Sequence, residues 1–314
     1  MTTPSTPSTP SPHSAHVPPA LHMRGLHHAY GLTAVLSDIH LTVPAGRIVA
    51  LVGPSGCGKT TLLHLGAGLL ALQQGDIETG TGPSALMFQQ PRLLPWMSTL
   101  DNIALGLKAQ GAGRAERHQR AQHTALALGL APAALAQFPA ELSGGMQSRA
   151  SLARALVLEP RLLLMDEPFG ALDVGLRSQL HHLLLTRQAA QGMAVLLITH
   201  DLMEAVRLAD TVLVMAANPG RIVHSHTPPG AALARTDAIV YRDTAELLRV
   251  PLVRAAFGLD NFPAPDNSDE PGTRSTAPIP TAPTTLASGA AAAERAAAPS
   301  SPPTTTPRRS QSCG

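Results

Sequence analysis

Short apolar runs alternate with longer stretches of helical periodicity from residue 20 to residue 262. Val35 to Val43 alternates apolar and polar residues, as a strand with one solvated face does, whereas Arg47 to Val52 is a short continuous apolar run of the kind buried on both faces. The same reading predicts buried strands at Ser84 to Phe88, Leu162 to Met165, Ala194 to Ile198 and Thr211 to Met215. Helical patterns separate most of them, beginning with Thr60 to Leu70. From Pro91 to Pro160 strand signals are missing, and Ala/Leu-rich patterns such as Arg114 to Leu128 predict a helical insertion. The fold class expected is α/β: a mainly parallel sheet flanked by helices, with a helical subdomain over about 91–160. Residues 1–19 and 263–314 are rich in Pro, Ser, Thr and Ala and poor in large apolar residues, so both are expected to be disordered tails.

Directly after the run ending at Val52 comes Gly53-Pro54-Ser55-Gly56-Cys57-Gly58-Lys59-Thr60, followed by Thr61, a loop of the form GxxxxGK[ST]. Glycines let backbone N–H groups curl around phosphate oxygens, a compact ammonium reaches the β/γ-phosphates, and the Thr60 hydroxyl is suited to ligate Mg²⁺. The chain has only two lysines, Lys59 and Lys108, against 21 arginines, and it keeps one of them where a planar guanidinium would not fit. The plainer alternative is a Gly-rich turn with a surface lysine. About a hundred residues downstream, the apolar strand Leu162 to Met165 ends in Asp166 and Glu167 at the edge of the sheet where α/β folds bind ligands. In a P-loop NTPase, Asp166 would hold Mg²⁺ and Glu167 would orient or deprotonate the attacking water. Alone, the pair would equally suit a solvated acidic loop.

Composition narrows the class. A formal net charge of +2 argues against a nucleic-acid reader, whose footprint is a concentrated basic face. No run of about 18 consecutive apolar residues appears, and the start of the chain lacks the charged-then-apolar pattern of a secretory signal, so a cytosolic location is expected. Cys57 and Cys313 offer neither a disulfide framework nor a metal cluster, and Cys57 reads as a small loop filler.

Leu142-Ser143-Gly144-Gly145-Met146, ahead of a helix from about Gln147 to Leu158, resembles the signature motif of the nucleotide-binding subunits of ATP-binding-cassette (ABC) transporters. The resemblance covers about residues 21 to 226 and implies an ABC ATPase with an antiparallel β subdomain and a helical signature subdomain. It implies a head-to-tail homodimer in which Ser143, Gly144 and Gly145 of one subunit close over the ATP held by the phosphate loop of the other. By the same resemblance Gln89 is the Q-loop glutamine, contacting Mg²⁺ or the attacking water. Asp173, in Ala171-Leu172-Asp173, belongs to the D-loop and makes contacts across the dimer, although Asp also suits a helix N-cap there. His200 is the switch histidine that bonds the γ-phosphate, and Tyr30 is the aromatic that stacks on adenine. The sequence departs from the family where Met146 stands in place of a common Gln and where Gln147-Ser148-Arg149 follows.

The run Pro91-Arg92-Leu93-Leu94-Pro95-Trp96 with Asp101-Asn102-Ile103, together with Met165 to Asp173 and Asn218-Pro219-Gly220-Arg221-Ile222-Val223, is similar to the ATPases of nitrate, sulfonate and taurine importers. That likeness implies ATP and Mg²⁺ as cofactors, an integral-membrane permease docked on a groove lined by Leu93, Leu94, Pro95 and Trp96, and an external solute-binding protein acting indirectly. It places the chain on the cytoplasmic face of a bacterial inner membrane. Packing of 93–96 inside the helical subdomain is the simpler alternative for that cluster. Thr236 to Phe257 resembles a helical C-terminal extension of one importer branch. A soluble, permease-free mechanical ATPase is the alternative function, disfavoured by a single cassette with no heptad run. An adaptor that binds but does not hydrolyse is disfavoured by Asp166, Glu167 and His200 all being present.

Overall fold

The computed structural model describes residues 18–170 and 172–260. The two expected tails, apart from Pro18 and Pro19, and Ala171 of the segment resembling the D-loop lie outside the described residues. Strands β1 (Leu21–Tyr30) and β2 (Thr33–Val43) form an antiparallel ribbon, and β3 (Ile48–Val52) feeds the Gly-rich loop and α1 (Lys59–Gly66). Next, β4 (Gln74–Thr79) returns to β1, completing a three-stranded sheet in the order β2-β1-β4. After β5 (Ser84–Met87), helices α2 (Thr99–Ala109), α3 (Arg114–Ala127) and α4 (Gly144–Leu156) fill the stretch read as a helical insertion. The chain then runs through β6 (Leu162–Asp166), α5 (Val174–Gln191), β7 (Ala194–Thr199), α6 (Leu202–Leu208), β8 (Thr211–Ala216) and β9 (Arg221–His226). It closes with α7 (Asp237–Leu247) and α8 (Pro251–Ala256).

The second sheet has the order β5-β6-β7-β3-β8-β9, parallel throughout except for β9, which runs antiparallel to β8. Its central strands β3, β6 and β7 are apolar except where β6 and β7 end, in Asp166 and Thr199, because both faces are covered. Ile48, Ala50 and Val52 face a core shared with the helices of the insertion and with α5 to α8, whereas Val49 and Leu51 face the core built with β1, β2 and α1. Leu163 and Met165 alternate with Leu162 and Leu164 in the same way.

The differences from the sequence reading have local causes. Helix α1 stops at Gly66 rather than at residue 70, because Gly68 turns left-handed at φ 69° and Leu69 N donates back to His64 O at 2.9 Å, closing the helix end. Helix α4 begins at Gly144, three residues before the expected start, since Ser143 caps it. Residues 236 to 257 form two helices, as Pro251 starts a second one. Strands β1, β4 and β9 carry too many polar residues for an apolar-run reading to find them.

One arginine ties the segment that leads into α7 to the end of α6. Arg235 is buried and donates to Val206 O and Ala209 O at 2.7 Å, to Gly230 O at 2.9 Å and to Pro229 O at 3.0 Å. It thereby satisfies the carbonyls that α6 leaves open at its C-terminal end. Burial lowers its pKa, with Asp210 and Asp243 opposing the shift. Replacing Arg235 by Met strands several buried acceptors and should cost about 3 kcal/mol of stability. Urea denaturation of the two proteins measures this, and an unchanged midpoint would show that water replaces the lost bonds.

Candidate functional site

The site grows from the C-terminal ends of three strands that are neighbours in the sheet. Where β3 ends, the loop turns through Gly58 at φ 98°, a left-handed conformation that an L side chain adopts only under strain, and α1 starts at the next residue. Lys59 is 6% exposed, and its ammonium donates to Gly53 O at 2.8 Å and Pro54 O at 2.9 Å, with Cys57 Sγ at 3.7 Å. The lysine is thus buried and tied to the carbonyls of its own loop, unlike the lysine of a surface turn. Cys57 is buried and burial pushes its thiol pKa up, which leaves it as an inert filler.

Thr60 Oγ1 donates to Asp166 Oδ1 at 3.2 Å, joining the start of α1 to the end of β6. Burial raises the Asp166 pKa, against the Thr60 hydroxyl bond and with some help from Glu167. These two oxygens fit a hard cation that takes its remaining ligands from water and nucleotide phosphates. Among the described residues no three His, Cys, Asp or Glu side chains form a metal cage of their own.

One residue on, Glu167 adopts φ 41° and so leaves the alternation of the strand. Its Oε2 lies 3.1 Å from His200 Nδ1 and accepts from Gln89 Nε2 at 3.3 Å. Three side chains read from the sequence as catalytic, from the ends of β5, β6 and β7, thus meet at one oxygen. Together with Gly144, Gln147 and Ser148 they line a cleft of about 370 Å³, so the signature faces the same space within this chain. Ser143 accepts from Met146 N at 3.3 Å as the N-cap of α4. Asp173 accepts from Leu176 N at 2.9 Å as the N-cap of α5, so the capping reading describes its place within this chain. Tyr30 ends β1 paired with Thr33, is 53% exposed, and meets buried His28 edge-on at 4.9 Å.

Sequence reading missed the supports behind the site. His181 Nε2 and Glu204 Oε1, both buried, lie 3.1 Å apart, and Phe169 packs edge-on against His181 at 4.7 Å. One turn earlier on α5, Arg177 donates to Leu172 O at 3.2 Å and pairs with Asp201 at 3.6 Å. These contacts join the segment after Glu167 to the segment after His200. The departures after Met146 also have partners: Gln147 donates to Pro139 O at 3.0 Å, and Arg149 bridges Gly129 O and Gln179 Oε1, both at 2.9 Å.

Next to the Gln89 loop lies a cleft of about 630 Å³ lined by Phe88, Arg92, Leu105, Lys108 and Leu158. Residues 93–96 do not line it. Leu93 packs on the helical core, Leu94 is held through both backbone groups by buried Asn102, and Trp96 is 73% exposed. Arg154 of α4 donates to Pro91 O at 2.7 Å and Arg92 O at 2.8 Å, fixing this segment to the signature helix.

A parallel sheet with a cation-bearing Gly-rich loop after one strand and two carboxylates after its neighbour but one defines a P-loop NTPase. A sequence profile described as ABC transporter matches residues 36–170. The aliphatic sulfonates import ATP-binding protein SsuB of Corynebacterium glutamicum is 44% identical over 230 residues, which is 73% of this chain and 93% of that protein. The taurine import ATP-binding protein TauB of Chromobacterium violaceum is 46% identical over 201 residues, 62% of this chain and 77% of that protein. A dimeric structure of a bacterial ABC transporter cassette superposes with TM-score 0.62 at 26% identity, covering 67% of this chain and all of that one (100%). Its ADP- and phosphate-bound post-hydrolysis counterpart, at 24% identity and TM-score 0.61, shares the fold. The chain belongs to the ABC transporter family as one of its ATP-hydrolysing cassettes.

The buried pair behind the site should reveal itself in a mutant cycle. His181→Leu leaves the Glu204 carboxylate buried without its partner and should cost about 3 kcal/mol, whereas His181→Leu with Glu204→Met should recover much of the loss. Denaturant midpoints of the single and double variants measure the coupling; simple additivity would mean that the two side chains do not interact.

Proposed function

We propose that this chain energises an importer of organic sulfonates, of the aliphatic sulfonate or taurine type, by binding and hydrolysing Mg-ATP. The observation that carries the hydrolytic reading is the meeting of Gln89 and His200 on the Glu167 carboxylate, next to a buried lysine and a Thr–Asp pair. The sulfonate reading rests on the names of the relatives above.

In this reading the N–H groups of 53–61 and Lys59 hold the phosphates, and Tyr30 stacks on the base. Thr60 and Asp166, with Gln89, would hold Mg²⁺, which would supply charge neutralisation for the phosphates. Glu167 accepts a proton from the attacking water, and its contacts with Gln89 and His200 keep the carboxylate aimed rather than free to rotate. His200 is 58% exposed and so is available to the γ-phosphate once that contact loosens. Ser143, Gly144 and Gly145 close on the nucleotide of a second copy, with Asp173 at the same interface. Phosphate-bridged contacts then hold two subunits together until hydrolysis. The permease docks beside the Gln89 loop, on the cleft with Phe88 and Arg92 and the exposed Trp96 near it. No helix among the described residues is long and apolar enough to cross a membrane, and the chain works from the cytoplasmic face as a peripheral subunit.

Two experiments test this. Glu167→Gln should bind ATP as the parent does, lose at least about a hundredfold in turnover and accumulate as an ATP-bound dimer in size-exclusion chromatography; turnover near the parent's would remove Glu167 from its role. Deleting the chain from its host should abolish growth with taurine or ethanesulfonate as the only sulfur source while growth on sulfate persists. Undiminished growth on both sulfonates would sink the solute assignment and leave the ATPase chemistry intact.

A further inference from the structure

The turn from β8 into β9 touches the phosphate loop, a role that neither the fold nor the relatives' names assign to it. Gly220 N donates to Val35 O at 2.8 Å, and Ser37 N donates to Gly220 O at 3.0 Å, so the turn is stitched to β2. On its other side Gly220 meets the loop itself: a Cβ built there would lie 2.2 Å from Cys57 O, 2.3 Å from Met215 Cε and 2.9 Å from Val35 O. The loop is gripped at two more points by the same strands. A Cβ on Gly53 would lie 2.4 Å from Met215 O, and one on Gly58 would lie 2.7 Å from Leu36 Cδ2 and 3.1 Å from Val35 Cγ1.

We propose that Gly220 is a positioning residue for the phosphate loop, the turn 218–220 acting as a strap that sets the loop's curvature against β2. The proposal rests on reading 53–61 as the phosphate-binding loop. The peptide that carries Cys57 O also carries Gly58 N–H, one of the amides of the cradle. Any side chain at 220 drives that peptide away and turns the amide off the phosphate. Of the three atoms such a side chain would meet, Met215 Cε can move aside, but Cys57 O and Val35 O are backbone and cannot, which separates this contact from ordinary core packing. The strap also fixes the loop relative to β2, whose first residue, Thr33, pairs with Tyr30. The two ends of the nucleotide site are thereby held at one spacing.

Isothermal titration of the full chain with ATP, for the parent, Gly220→Ala and Arg221→Ala, tests this. Gly220→Ala should bind at least about tenfold more weakly and Arg221→Ala, an exposed neighbour, as the parent does. Adding Met215→Leu to Gly220→Ala separates the causes. Affinity that stays low supports the backbone contact, whereas recovery would place the effect in the Met215 side chain and overturn the proposal. Affinity of Gly220→Ala within about twofold of the parent overturns it too. A parent that fails to bind ATP would instead refute the reading of the loop. Should Gly220→Ala not fold, hydrogen exchange of the parent decides: ATP should protect 218–222 together with 53–60, and protection confined to the loop would refute the strap.

Discussion

Adjacency of β3, β6 and β7 in one parallel sheet is the constraint on which the site depends. An ammonium, a hydroxyl and two carboxylates have to meet within a few ångströms, yet they come from residues 59, 60, 166 and 167. Parallel pairing brings the C-terminal ends of these strands to one edge, with Val52 in register with Thr199 and Asp166 with Ile198. The next residues out are the loop, Glu167 and His200. This requires strands buried on both faces, and so the unbroken apolar runs, because a one-residue slip would move the whole constellation relative to its neighbours. Covering both faces takes helices on one side and the β1/β2 ribbon with α1 on the other.

The scarcity of lysine has a structural counterpart. At several joins between segments an arginine fork spans two acceptors. Arg154 takes Pro91 O and Arg92 O, Arg149 takes Gly129 O and Gln179, Arg177 takes Leu172 O and Asp201, and Arg235 closes the end of α6. Lys59 is the opposite case. Its task is a point charge inside a tight loop, where a planar group would clash, and it is the buried lysine of the pair.

Legibility in the sequence followed the range of the interaction responsible. Continuous apolar runs report burial on both faces residue by residue, so β3, β6, β7 and β8 were readable, as was the loop, whose residue types are dictated by contact with phosphate. Glu167 was read from the strand that ends in two carboxylates, Gln89 and His200 through family resemblance, and their meeting at one oxygen depends on strand order, which no local pattern states. β1 was hidden because LHMRGLHHAY keeps one face half-exposed and bends at Gly25. His181 and Glu204 were invisible for another reason: two ionisable residues on helices 23 positions apart look like surface residues until packing buries them against Phe169. An apolar cluster such as 93–96 announces burial or binding without saying which: Leu93 packs on the helical core, Leu94 is half-buried with its backbone held by Asn102, and Trp96 is exposed.

Helix α4 links the two things such a cassette has to coordinate. Its N-terminus presents Gly144 to the cleft that holds Glu167, and Arg154, three turns on, grips the carbonyls of Pro91 and Arg92 just after Gln89. A 13-residue helix is a rod of about 20 Å that does not bend at this scale. The segment it grips directly follows Gln89, one of the two side chains that meet the Glu167 carboxylate. The cleft lined by Phe88 and Arg92 lies on the same segment, where Arg92 stacks over Phe88 at 4.2 Å. One short helix therefore borders the cleft that holds Glu167 and grips the segment that borders the cleft at Phe88.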